Sequence, residues 1–189
     1  MRRNKKSSGL LKAAEEKSVR QNSIAQSVPG KTRRIIGVDP GLASTGWGVL
    51  EFHNEKFRYI AHGCIETEAN TPRGERLFLI YQSFLQILKT HKPHEAAIEN
   101  LYFGKNISSA MLVAEARGVL YMALTQQNLP VLELTPNAIK KGVVGVNKAN
   151  KNQIQEMVRF ILGLNEIPKP DHAADALAAA ICAAHTVVL

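Results

Sequence analysis

Three short apolar runs separated only by tight turns precede the first helical stripe of this chain, and that order restricts the fold more than any other feature. Ile35 to Val38 is closed by Asp-Pro-Gly, Thr45 to Phe52 follows, and Phe57 to Ile65 comes after a second short turn. Strands joined so closely pair antiparallel, so the chain opens with a meander. From Arg73 to Lys89 the residues Leu77, Leu79, Ile80, Phe84, Leu85 and Leu88 form a helical stripe, which Pro93 ends. Glu95 to Leu101 is apolar apart from Glu99, and a run of that kind between two helical patterns makes an internal strand. A helix over about Asn106 to Gln127, a strand at Pro130 to Leu134 and a short helix at Asn137 to Val143 follow. An amphipathic helix at Lys151 to Leu162 and an Ala-rich helix from near Pro170 complete an α/β order of βββαβαβα and further helix.

The chain carries a net charge of +8, a signal for nucleic acid only if it lies on the folded part. Residues 1–33 hold nine Lys or Arg against two Glu, leaving fifteen bases against fourteen acids in the remaining 156. The basicity therefore belongs to a segment rich in Lys, Arg, Ser, Gln and Asn, read as an extension without a core, and residues 34–189 are read as the domain. The apolar fraction of 45% suits a globular domain, and no apolar run approaches the ~20 residues a membrane helix needs. Cys64 and Cys182 show neither disulfide nor zinc spacing, which fits a cytoplasmic location.

Three acids interrupt otherwise apolar elements: Asp39 closes the first strand, Glu99 lies in the fourth, and Asp175 sits in the Ala-rich helix. Ionised carboxylates leave water only when paired or metal-bound, so acids on three core-facing elements together suggest a metal site. Singly, each has a plainer reading as a turn, outward-facing or exposed helical residue. Neighbouring first and fourth strands would set Asp39 beside Glu99, with Asp175 delivered by a helix packed on the sheet.

The same segments resemble a known family. IIGVDPGLASTGWGVL, AIENLYFGKN, AEARG at Ala114 to Gly118, VVGVNKANKNQI and HAADALAAAI are similar, in order and spacing, to the five signature blocks of the RuvC Holliday-junction resolvases, over Arg34 to His185. The resemblance implies an α/β, RNase H-like fold with a five-stranded mixed sheet flanked by helices. It implies an endodeoxyribonuclease that resolves four-way junction DNA by paired symmetric nicks, leaving 5′-phosphate and 3′-hydroxyl ends. It also implies a homodimer, two Mg²⁺ per active site with Mn²⁺ able to substitute, and a branch-migration partner, RuvAB.

By matching position the metal residues are Asp39, Glu99, His172 and Asp175. His172 and Asp175 stand one turn apart on a helix face, but so do Asp171 and Asp175 at i and i+4. Asp171 follows Pro170 at the helix start and is read as the cap, leaving the ligand role to His172. Lys151 matches a basic position near the family's active site, where it would stabilise phosphate charge; an exposed helix lysine is the alternative. No acid occurs between Glu133 and Glu156, whereas Lys140, Lys141, Lys148 and Lys151 do, a phosphate-binding stretch. Tyr102 matches an aromatic that would stack on an unpaired base, with Phe103 as the alternative. Arg117 is read as an ion-pair partner of Glu115 or a DNA contact. Met111, Leu112 and Tyr121 mark the helix around them as an interface candidate or as ordinary core.

Two other classes compete. An actin-like ATPase shares the opening strand, Asp-x-Gly turn and strand, but it needs a duplicated domain and a second phosphate loop, for which this chain has no room. A catalytically idle RNase H-like binding module keeps the sheet without the acids, and here every matched acid is present.

Overall fold

The computed structural model describes residues 31–100, 107–146 and 148–186. The strands are β1 (Arg33–Asp39), β2 (Ser44–His53), β3 (Lys56–Glu66), β4 (Glu95–Glu99) and β5 (Val131–Leu134). The helices are α1 (Arg73–His91), α2 (Ile107–Gln126), α3 (Pro136–Val144), α4 (Lys151–Ile161) and α5 (Asp171–His185). The expected order holds, although β1 begins at Arg33, one residue inside the segment assigned to the extension. Arg33 is held there by Glu95, Nε to Oε1 at 2.7 Å, and donates to the Ala183 and Ala184 carbonyls at the end of α5.

The sheet order is β3-β2-β1-β4-β5. β1, β2 and β3 pair antiparallel as the expected meander, and β4 runs parallel to β1 with Val38 opposite Ile98. That register brings the C-terminal ends of the two inner strands β1 and β4, hence Asp39 and Glu99, side by side. β5 extends the sheet parallel to β4, with Leu134 opposite Glu99.

Each face of the sheet has its own core. Ile36, Val38, Val49 and Ile98 meet Phe84 and Leu88 of α1 and Leu120 and Leu124 of α2 on one face. On the other, α5 lies against Ile35, Leu50 and Ala97, with α3 and α4 packed around it. The alanines of α5 allow a close approach, and glycines on the sheet complete it. A Cβ at Gly37 would fall 1.9 Å from the Ala176 carbonyl oxygen, and one at Gly46 2.0 Å from that of His172. Gly46 opposes Asp39 across the β1–β2 ladder, so its missing side chain lets the first turn of α5 sit over the end of β1. No described helix is long and apolar enough to cross a membrane.

Candidate metal centre

Asp39, His172 and Asp175 come together at that seat. One donor atom from each lies within 4.8 Å of the others. His172 and Asp175 share a face of α5 one turn apart, and Nδ1 of His172 is 2.7 Å from Oδ2 of Asp39. Glu99 stands outside this triplet but shares a cavity with Asp175, Lys140, Lys151 and Ile139.

The electrostatics are those of a site with too few cations. Burial, then the charges of Asp39 and Asp175, push the Glu99 carboxyl up to about 7, against a smaller opposing effect of Lys140. Burial also raises Asp175, with Asp39 adding to it and Lys151 opposing. His172 is raised because its hydrogen bond to Asp39 favours the imidazolium. Like charges held this close disfavour ionisation unless a cation joins them. Donor atoms around a small divalent ion stand about 3–4 Å apart, near the spacing already present, and three carboxylates with one imidazole suit Mg²⁺ or Mn²⁺. The residues therefore fit a divalent metal.

The basic residues divide by position. Lys151 is half exposed at the start of α4, with Nζ 3.0 Å from Oδ2 of Asp171 and 3.4 Å from Oδ2 of Asp175. Burial acts against its charge, but the two carboxylates carry its pKa upward. Lys140 lines the cavity, whereas Lys141 and Lys148 are exposed outside it. Tyr102 and Phe103 lie outside the described residues.

Two expectations are corrected. Asp171 does not cap α5: Pro170 occupies the N-cap without a side-chain bond, and Asp171 is the next residue, turned toward Lys151. Arg117 does not pair with Glu115. It pairs with Glu133 at 2.5 Å, which also accepts from the Tyr121 hydroxyl, while Glu115 faces Arg73 at 3.4 Å. Pairing between α2 and β5 depends on tertiary packing, which spacing within one helix does not reveal. Tyr121 and Leu112 pack against the core, whereas Met111 is exposed. Gly46 escaped the sequence reading as a site residue. Its signal was the small-residue alternation Gly46, Gly48 facing an alanine-rich helix.

A family model described as crossover junction endodeoxyribonuclease RuvC matches residues 35–183. A protein of that name from Treponema denticola is 50% identical over 175 residues, 92% of this chain and 91% of its own length. One from Chloroflexus aurantiacus is 49% identical over 153 residues, 81% of this chain and 93% of its own. Among solved structures, T. thermophilus RuvC in complex with Holliday junction substrate superposes with a TM-score of 0.76 at 32% identity, covering 79% of this chain and 92% of that one. The five-stranded mixed sheet with flanking helices is the RNase H-like fold.

Proposed function

The chain belongs to the RuvC family of crossover junction endodeoxyribonucleases, and on that premise we propose that it resolves Holliday junctions through the carboxylate cluster at the ends of β1, β4 and the start of α5. The observation that supports this reading is the meeting of Asp39, His172 and Asp175 within 4.8 Å beside Glu99. Asp39, Glu99, His172 and Asp175 would hold two Mg²⁺, with Mn²⁺ able to substitute because imidazole suits it better. When bound, such ions lower the pKa of a water and neutralise charge on the leaving oxygen.

The chain's own groups prepare the rest. Glu99, pushed up to about 7, would have to be ionised to hold a cation, which would couple metal affinity to pH. Lys151 donates to the phosphate oxygen where negative charge grows, and Lys140 borders the same cavity. Lys141 and Lys148 hold the backbone farther out, and Tyr102 stacks on a base at the crossover. Paired nicks leave 5′-phosphate and 3′-hydroxyl ends.

Symmetric cutting of a two-fold substrate requires two active sites related by a two-fold axis, hence a homodimer. Met111 and Met122 are exposed on α2, and Phe78 and Leu79 on α1, which packs against it; these residues are proposed as part of that interface. RuvAB follows from the family resemblance, the cytoplasm follows from the location of the DNA substrate, and residues 1–32 are proposed to be dispensable for cleavage. With Mg²⁺, purified protein should nick a synthetic four-way junction symmetrically and spare linear duplex. Cleavage by Asp39→Asn at the wild-type rate would refute the metal assignment.

A further inference from the structure

Lys151 and Asp171 occupy equivalent places on two helices. Each directly follows an N-cap, Asn150 for α4 and Pro170 for α5, and the two side chains meet at 3.0 Å. A lysine there opposes the positive end of its own helix, so helix formation does not favour it. The start of α4 is already closed by the reciprocal Asn150–Gln153 capping box and needs no help from Asp171. The pair is half exposed, where ion pairs add little to stability.

One turn along α4 from Lys151, Gln155 is only 6% exposed, and its Nε2 is buried without a hydrogen-bond partner among the described residues. It therefore gives Asp171 no second hydrogen bond, and Lys151 is the ion-pair partner of that carboxylate among the described residues. Asp171 stands outside the cavity, whose lining includes Lys151 and Asp175. Lys151 reaches from Asp171 to Asp175, which lines the cavity.

We infer that Asp171 is a positioning residue, which binds no cation itself but holds the Lys151 ammonium at the rim of the Glu99–Asp175 cavity, aimed at the substrate phosphate. Lysine has a compact charge on a flexible stem and goes where carboxylates draw it. With Asp175 as its only acidic partner, the ammonium would compete with metal for that carboxylate or swing into solvent. Asp171 gives it a second anchor outside the cluster. The inference rests on the endonuclease reading above for its consequence, but not for its geometry.

The test is a double-mutant cycle of Asp171→Asn and Lys151→Ala with two readouts. In single-turnover cleavage of a four-way junction with Mg²⁺, Lys151→Ala should slow the reaction about 100-fold and Asp171→Asn about 10-fold, with junction affinity within about 2-fold. The double variant should be no slower than Lys151→Ala, and Asp171→Glu should recover most of the rate. In metal-free protein carrying ¹⁵N-lysine, the Lys151 ammonium resonance, assigned by its loss in Lys151→Ala, should shift and broaden in Asp171→Asn.

Four results would overturn the inference: a wild-type rate for Asp171→Asn, a further 10-fold loss on adding it to Lys151→Ala, an unmoved ammonium resonance, or weakened Mn²⁺ binding by calorimetry in Asp171→Asn. Wild-type protein that leaves junctions intact would instead refute the nuclease reading, while the resonance still decides the pairing.

Discussion

Two glutamates flank the central strand β1 at opposite ends, and the protein treats them in opposite ways. Glu51 on β2 faces Arg34 and is 9% exposed. Arg34 donates to its Oε1 at 2.9 and 2.6 Å, and Arg58 to its Oε2 at 3.0 and 2.5 Å. These hydrogen bonds, Arg34's first, hold its carboxyl below the ordinary value. Glu99 on β4 has no ion pair among the described residues and stands near Asp39 and Asp175, which help burial to push it up to about 7. A carboxylate enclosed by guanidinium groups serves the fold. One left among other acids destabilises the metal-free protein and has a use only when a cation arrives.

The largest effect should come from emptying the acidic end. Asp39→Asn should reduce junction cleavage by about 10³-fold while leaving the circular dichroism spectrum unchanged. His172→Ala should follow at about 10²-fold, well beyond the loss from Asp171→Asn, and the reverse ranking in the same assay would move the ligand role to Asp171. At the other end of β1, Glu51→Gln leaves two guanidinium groups facing a neutral amide. It should cost about 1–3 kcal/mol in urea unfolding and leave metal affinity alone.

A subtler contrast concerns pH. A carboxyl raised on folding favours the folded state below its ordinary value of 4.5, and that contribution is lost as pH rises through about 7. Metal-free protein should therefore lose thermal stability between pH 5 and 8 by about the few degrees expected of a small ΔΔG, and Mg²⁺ should restore it. Glu99→Gln should shrink both the loss and the restoration, leaving the part that His172, also raised, contributes in the same window; an unchanged slope in that variant would refute the account of Glu99. The smallest effect belongs to deletion of residues 1–32, which should leave the cleavage rate within about 2-fold because Arg33 and its bonds to Glu95 and α5 are retained.

The acids of the candidate site were legible because they break apolar runs, a local property visible at Asp39, Glu99 and Asp175 one at a time. Glu51 was not, since it lies in a strand where alternation allows a charge, and the two arginines that neutralise it arrive from β1 and β3. Asp171 was misread for a related reason. A residue after proline at a helix start has the local marks of a cap, whereas its actual partner, Lys151, is on another helix.

The order of elements, their periodicity and the acids they carry are local properties of the chain, because hydrophobic spacing and turn residues act over a few neighbours. Folding of the whole domain was needed to reveal that Gly46 lets α5 rest over Asp39, and that Glu51 is neutralised while Glu99 is not. Those outcomes depend on contacts between residues far apart in the chain, whose distances are set by close packing of the whole domain.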